Sequence, residues 1–187
     1  MNTPLPPKQD FPVALARRYL EPGPIVLVSS AWQGKTNVMT MGWHTIMEFM
    51  PSLVGCMISS ANHSFEMIRQ SGECVFNVPT VDLTDTVVKI GNTSGADIDK
   101  FKTFDLATRQ AERVKAPLID ACCASFECRL YDDALVETYN FFIFEVVKAH
   151  VAPTPEHPET LHYKGDGVFM TAGGILNKKA LFRPGML

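Results

Sequence analysis

Short apolar segments, rich in β-branched residues and separated by Pro and Gly, recur along this chain and constrain its fold. Residues 25–28, 53–58 and 74–78 are three of these runs, and only two or three short helical patterns interrupt the series. An alternating βαβ sheet would need longer helices between its strands. The pattern therefore predicts a mainly β protein with peripheral helices, built as a small antiparallel barrel.

The other predicted elements follow the same punctuation. Further strands are expected at residues 37–45, 125–131 and 141–149, with a hairpin around Gly165-Asp166-Gly167. Helices are expected at residues 13–19, from about residues 62–64 to Gly72, and at residues 82–91 with Asp82 as the N-cap, while residues 92–117 read as a long surface excursion. A length of 187 residues fits an arm of residues 1–22 and one domain of residues 23–187.

Composition and charge exclude several classes of function. Apolar residues make up 46% of the chain and charged residues 20%, which is typical of a globular protein. The net charge of −3, with scattered Lys and Arg, argues against a nucleic-acid partner. The proline-rich, polar first ten residues do not resemble a signal peptide, and no apolar run is long enough for a membrane span. We therefore expect a cytoplasmic protein without membrane contacts.

Common catalytic and metal motifs are missing from the sequence. It has no G-x-G-x-x-G turn, no Walker-type loop and no G-x-S-x-G elbow, and its five histidines lack metal-binding spacing, so no metal site is expected. Five cysteines form neither a disulfide framework nor a zinc pattern, which favours buried free thiols. A redox-active pair at Cys122 and Cys123 is the alternative.

Five segments carry the most informative pattern. They are Gly34-Lys-Thr-Asn-Val-Met-Thr40 with Trp43 behind it, Met50-Pro51, residues 59–64, Phe76-Asn-Val78 and Asp99-Lys-Phe101. Each is unspecific alone, but the ordered set over roughly residues 23–151 resembles the flavin reductase-like family. The resemblance implies an antiparallel Greek-key split barrel that binds FMN, or alternatively FAD. It also implies a homodimer with the flavin near the subunit interface.

Flavin binding makes two physical demands. The isoalloxazine ring needs an apolar slot, for which Trp43, Met39 and Met41 are candidates, and hydrogen-bonding groups along one edge, which an extended backbone supplies. The phosphate needs donors and a helix N-terminus. The residues that we expect to bind the cofactor are Asn37, Val38, Met39, Thr40, Trp43, Ser59, Ser60, Ala61, Asn62, His63, Ser64, Asn77 and Lys100. We expect no catalytic side chain, because the flavin carries the chemistry.

Several of these residues have a structural alternative. In the alternative, Asn62 or Ser64 is only a helix cap, and Lys100 is a solvated surface lysine. Asn77 could satisfy a strand end, and Trp43 could be a core residue.

One departure from the family pattern bears on function. Where many of these reductases have Gly-Asp-His, this chain has Glu137-Thr-Tyr139. The leading expectation is an oxidoreductase that transfers electrons from NAD(P)H through bound flavin to an acceptor. Because Tyr139 replaces the histidine, a flavoredoxin-like electron carrier or metal-ion reductase with little NAD(P)H activity is the first alternative. A non-catalytic flavin-binding or assembly module is the second.

Overall fold

A computed structural model describes residues 23–183 of the chain, except 154 and 156. Within them the strands are β1 (Val26–Trp32), β2 (Lys35–Met41), β3 (His44–Glu48), β4 (Leu53–Met57), β5 (Glu73–Val78), β6 (Thr108–Arg109), β7 (Leu118–Ile119), β8 (Ala124–Asp132), β9 (Phe141–Val151), β10 (Leu161–Gly165) and β11 (Val168–Thr171). The helices are α1 (His63–Ser71), α2 (Thr84–Gly91), α3 (Lys100–Thr103) and α4 (Val136–Tyr139). The predicted helix at residues 13–19 and the arm of residues 1–22 lie outside this range.

Seven strands form one antiparallel sheet in the order β2-β1-β5-β8-β9-β4-β3. Its two edge strands, β2 and β3, follow one another in sequence, with only Gly42 and Trp43 between them. The single extended segment predicted at residues 37–45 is therefore wrong. The chain leaves one edge of the sheet at Gly42 and starts the other edge at His44, which requires a corner.

The sheet curls around one apolar core. Met39 on edge strand β2, Val54 on β4 and Phe142 on β9 belong to the same cluster of buried side chains. At the corner, the Nε2 atom of His44 donates to the carbonyl oxygen of Pro24 at 2.7 Å, which holds the start of β3 beside the chain entering β1. The mainly β, antiparallel split barrel expected from the sequence is thus confirmed.

A second apolar layer covers the outer face of β1 and β2. Leu27 and Val38 point away from the barrel core and pack with Val87 and Ile90 of α2. The hydroxyl of Thr40 donates to the carbonyl oxygen of Val87 at 2.7 Å. This layer fixes α2 against β2.

The predicted helix ends are partly confirmed. Asn62 caps α1, since its Oδ1 accepts from the amide of Ser64 at 2.9 Å, and Gly72 ends that helix with a φ of 65°. Asp82 is not an N-cap, and that prediction is wrong. It lies inside a 3₁₀ turn, Val81–Leu83, and α2 starts only at Thr84, whose hydroxyl donates to the carbonyl oxygen of Val81.

A buried carboxylate anchors the loop between α3 and β7 to the sheet. Glu127 on β8 is completely buried. Its Oε1 accepts from the amide of Glu112 at 2.9 Å and from Nε2 of His150 at 2.7 Å. Its Oε2 accepts from the amides of Arg113 and Val114. Because a buried charge needs such donors, Glu127 anchors this loop.

All five cysteines are free thiols. Cys56, Cys74 and Cys128 are buried in the barrel core, as the sequence predicted. Burial raises the pKa of Cys122 to about 12 and also raises the pKa of Cys123. The adjacent pair therefore lacks the thiolate character of a reactive cysteine, which weighs against its redox role. No helix among the described residues has the length and apolar character needed to span a bilayer.

Candidate functional site

Strand β2 is an edge strand of the sheet. Within the described part of the chain, β2 pairs in the sheet with β1 alone. In an antiparallel edge strand, alternate residues direct their N–H and C=O groups away from the partner strand. Asn37, Val38 and Met39 are buried and Thr40 is half-buried, and contact of their backbone with a flavin ring stays a prediction.

The N-terminus of α1 is fastened directly to this strand. The Nδ2 atom of Asn37 donates to Oγ of Ser64 at 2.9 Å, and both side chains are buried. Asn62 caps the same turn through the Ser64 amide. Asn37, Asn62 and Ser64 thus form one hydrogen-bonded unit that joins the strand edge to the helix.

Exposed groups surround that unit at the helix start. Ser59, Ser60, Ala61 and His63 are all exposed, whereas Asn62 is half-buried. A helix N-terminus carries partial positive charge and unpaired amides, and the hydroxyls and the imidazole add further donors. The predicted phosphate residues therefore lie together on the surface, at a position suited to an anion.

Gly95, in the loop that follows α2, packs closely against the same unit. A Cβ atom built on Gly95 would overlap the side-chain amide of Asn37. Only a residue without a side chain lets the backbone approach this amide so closely.

Gly95→Ala is therefore expected to displace the Asn37 amide and to lower the free energy of unfolding by about 2 kcal/mol, the usual scale of an overpacked site. Urea unfolding measures this loss. Gly174→Ala is the matched control, since a Cβ there meets no atom within 4 Å. Equal stability of the two variants would contradict the close packing of Gly95 against Asn37.

Two predicted ligands are buried and bonded within the protein. Lys100 is only 5% exposed, and its Nζ donates to the carbonyl oxygen of Ile90 at 2.9 Å. Burial lowers the pKa of Lys100, and the alternative of a solvated lysine is wrong. The Asn77 amide donates to Leu27 O, and its Oδ1 accepts from the amide of Ile119 and the hydroxyl of Ser125. Their contact with a flavin stays a prediction.

The apolar candidates separate into two groups. Met39 and Met41 belong to the barrel core, so they support the strand from inside. Val38 packs on the outer side against α2. Trp43 is 50% exposed at the corner between β2 and β3, so the alternative that it is a core residue is wrong. Its indole remains the candidate for contact with a ring.

Two cavities flank Trp43. The first, which we call the barrel-mouth cavity, has a volume of about 680 Å³ and is lined by Trp43, His44, Met57, Phe76, Phe126 and Phe141, among others. The second, the hairpin cavity, lies between α2 and the β10–β11 hairpin, has about 560 Å³, and is lined by Thr40, Trp43, Val88, Asn92, Tyr163 and Phe169, among others. Both volumes are typical of small-molecule sites.

The hairpin cavity was not predicted from the sequence. Its C-terminal wall reaches β2 because the amide of Ile25 donates to the carbonyl oxygen of Leu161 at 2.7 Å, which docks β10 beside the start of β1. The two residues are far apart in sequence, so no local pattern signals their contact. Aromatic residues on both strands of the predicted hairpin were the only available hint.

The position that departs from the family pattern lies close to the helix start. Tyr139 ends α4 and is 66% exposed. The next residue, Asn140, accepts from the amide of Ile58 at 3.0 Å through its carbonyl oxygen. Tyr139 is therefore near the segment that begins at Ser59.

The site's dimensions fit a flavin mononucleotide. Asn37, beside the α1 N-terminus, and Thr40 are separated by about 10 Å along an extended strand. An anion at the helix start and a ring near Thr40 and Trp43 could therefore belong to one molecule. The sequence predicted the phosphate at the exposed donors and the ring along the strand with its indole, and both assignments stay predictions.

Fold and site together define a split barrel of the flavin reductase-like class. The model of the flavin reductase like domain matches residues 17–171, and the chain belongs to that family.

Three relatives illustrate the range of similarity. An FMN-binding domain of a flavin reductases-like enzyme from Shewanella baltica is 30% identical, with 89% of this chain and 95% of that chain covered and a TM-score of 0.75. An uncharacterized protein of Archaeoglobus fulgidus is 33% identical over 129 residues, which are 69% of this chain and 72% of the relative. Flavoredoxin of Desulfovibrio vulgaris, 21% identical with 84% and 90% coverage and a TM-score of 0.77, shows the fold alone.

Proposed function

We propose that this protein binds FMN along β2 and at the N-terminus of α1, and that it uses the flavin to transfer electrons from NAD(P)H to an acceptor. The observation that carries the proposal is the hydrogen bond between Asn37 and Ser64. It fastens a strand edge suited to the ring to a helix start suited to the phosphate. The two halves of the cofactor would therefore be held by one rigid unit.

The residues have distinct roles in this proposal. The backbone of Asn37, Val38, Met39 and Thr40 would bind the polar edge of the ring, and Trp43 would contact its apolar part. The residues that would surround the phosphate are the exposed Ser59, Ser60, Ala61 and His63 and the half-buried Asn62. The buried hydrogen bond between Ser64 and the Asn37 amide would hold the helix start, and with it the phosphate-binding groups, in place beside β2. Bound FMN would supply the electron transfer, so the protein's task is binding and alignment.

Purified protein loaded with FMN is expected to bleach rapidly when mixed anaerobically with NADH or NADPH. Stopped-flow absorbance of the oxidised flavin band measures this reduction. Titration of the cofactor-free protein with FMN and FAD, followed by flavin fluorescence, gives the affinity for each. A protein that takes up neither flavin would contradict the proposal and would favour a non-catalytic assembly module.

A flavoredoxin-like carrier is the second candidate function. It is favoured by Tyr139, which stands where many of these reductases have histidine and which lies near Ser59. Flavin that binds tightly but is reduced only by a partner protein or dithionite would support the carrier. If the flavin of the Tyr139→His variant is then reduced by NADH or NADPH, Tyr139 is what prevents the wild-type protein from using nicotinamide cofactors.

We also propose a homodimer formed through β3. This edge strand and the following turn expose Ile46, Met47, Phe49 and Met50, which form one apolar stretch beside the barrel-mouth cavity. Exposed apolar edges of this kind commonly bind a second copy of the chain.

Phe49 is 88% exposed in the single chain and would be buried in the proposed dimer. Phe49→Arg is therefore expected to convert the dimer into a monomer, because the interface would have to bury a charged side chain. Size-exclusion chromatography with light scattering measures the mass. Val151→Arg, at an exposed apolar position on β9, is the control and should leave the dimer intact. If neither variant dissociates, the dimer interface lies elsewhere.

The proposed location is the cytoplasm. Five free thiols, three of them buried in the core, are typical of a reducing compartment. Cell fractionation with a tagged full-length chain tests this location.

A further inference from the structure

The hairpin cavity has two apolar walls. Tyr163 of β10 and Phe169 of β11 form one wall, with ring centroids 5.1 Å apart and a tilt of 53°. Val87 and Val88 of α2 form the other wall. Facing aromatic and aliphatic walls of this kind favour a flat, apolar molecule.

A few polar groups also reach the cavity. The hydroxyl oxygen of Tyr163 accepts from the amide of Gly167 at 3.2 Å, so the hydroxyl proton is directed elsewhere and can be donated to a ligand. Asn92, which carries a side-chain amide, also belongs to the lining. These groups suit a carbonyl oxygen on the flat molecule.

Charge limits the ligand further. All the described residues that line the cavity are uncharged at neutral pH. A nicotinamide dinucleotide carries phosphates, whose binding sites normally include Arg or Lys. The lining therefore favours a neutral ligand over the proposed electron donor.

We propose that the hairpin cavity binds the electron acceptor, and that this acceptor is a neutral quinone. The proposal rests on the function proposed above, because Thr40 and Trp43 belong both to this lining and to the proposed flavin site. Two electrons and two protons pass from reduced FMN to the quinone, which leaves as hydroquinone, and the flavin returns to its oxidised form. The Tyr163 hydroxyl donates a hydrogen bond to one carbonyl oxygen of the quinone.

Val88→Trp fills the cavity from α2 and tests the proposal. Duroquinone is the probe, because its fully methylated ring does not add to the free thiols. Its affinity for oxidised, FMN-loaded protein is measured by isothermal titration calorimetry. We expect at least about tenfold weaker binding in the variant, since the wall position is occupied. Lys89→Trp, at the next and exposed position of α2, is the matched control and should bind as the wild type does.

Tyr163→Phe tests the polar contact. Protein reduced with one equivalent of dithionite is mixed anaerobically with duroquinone or with ferricyanide. The variant is expected to reoxidise several-fold more slowly with duroquinone and at the wild-type rate with ferricyanide, a charged complex that needs no neutral cavity.

The outcomes separate this proposal from the proposed function. If wild-type protein binds no FMN, both are overturned. If FMN binds but Val88→Trp leaves the duroquinone affinity unchanged, only the hairpin cavity is overturned as the acceptor site. If Val88→Trp abolishes FMN binding while Lys89→Trp retains it, the cavity holds the flavin itself, which also overturns the acceptor proposal.

Discussion

Ser60→Asp is expected to raise the dissociation constant for FMN about a hundredfold, which corresponds to about 3 kcal/mol. Ser60 is exposed immediately before the N-terminus of α1, where we place the phosphate. A carboxylate there would repel the phosphate and would also compete for the helix amides. Fluorescence titration of the cofactor-free protein with FMN measures the constant.

Two controls isolate the phosphate contribution. Riboflavin has the same ring but no phosphate, so Ser60→Asp should bind it as the wild type does. Ser52→Asp introduces the same charge at an exposed serine before β4, away from α1, and should leave the FMN affinity unchanged. If the Ser60 variant and the wild type bound FMN with equal affinity, the phosphate would not lie at the N-terminus of α1.

Glu127→Gln is expected to lower the free energy of unfolding by about 3 kcal/mol. The Glu127 carboxylate accepts from three backbone amides and from His150. A glutamine has one acceptor oxygen and turns an NH₂ group toward the other amides, so buried donors lose their partner. Urea unfolding at neutral pH measures the difference.

Glu112→Gln is the matched control for this loss. The Glu112 carboxylate pairs with Lys148 at 3.1 Å, and both side chains are well exposed. Exposed ion pairs contribute little, so this variant should lose no more than about 0.5 kcal/mol. If the two variants were equally stable, the buried carboxylate would not be the anchor of the loop.

The pH dependence of stability should differ between wild type and Glu127→Gln. Burial alone would raise the pKa of Glu127, but the hydrogen bonds from Glu112, His150 and Arg113 outweigh it and lower the pKa below its ordinary value. Its stabilisation is therefore present above the pKa of an unfolded glutamate, about 4.3, and is lost as the pH falls through the lower folded value. The stability gap between the two proteins should narrow below about pH 4, as urea unfolding across pH would show.

Local patterns in the sequence predicted most of the secondary structure. The runs that became β1, β4, β5 and β9 were readable because β-branched residues and flanking Pro or Gly act over a few positions. The cap at Asn62 and the end at Gly72 are equally local. The corner at Gly42 and the 3₁₀ turn around Asp82 were missed, because packing between distant strands and helices sets both.

The candidate site was only partly readable. The resemblance identified Asn37 and Ser64, but only the folded chain joins them by a hydrogen bond between a strand and a helix 27 positions apart. Lys100 and Asn77 are polar residues that a sequence places on the surface by default. Their burial depends on carbonyl and hydroxyl groups that other segments bring to them.

By itself, the sequence determined the fold class, the family and the segments that could hold a flavin. These follow from short-range propensities and from an ordered set of motifs, both of which can be recognised in the sequence without the structure. Tertiary structure alone decided that β2 and β3 form opposite edges of one curled sheet, that Trp43 stands exposed between two cavities, and that a C-terminal hairpin closes one of them. The physical reason is that these features arise from antiparallel pairing and burial between residues distant in the chain, as between Ile25 and Leu161. No single segment encodes such a contact.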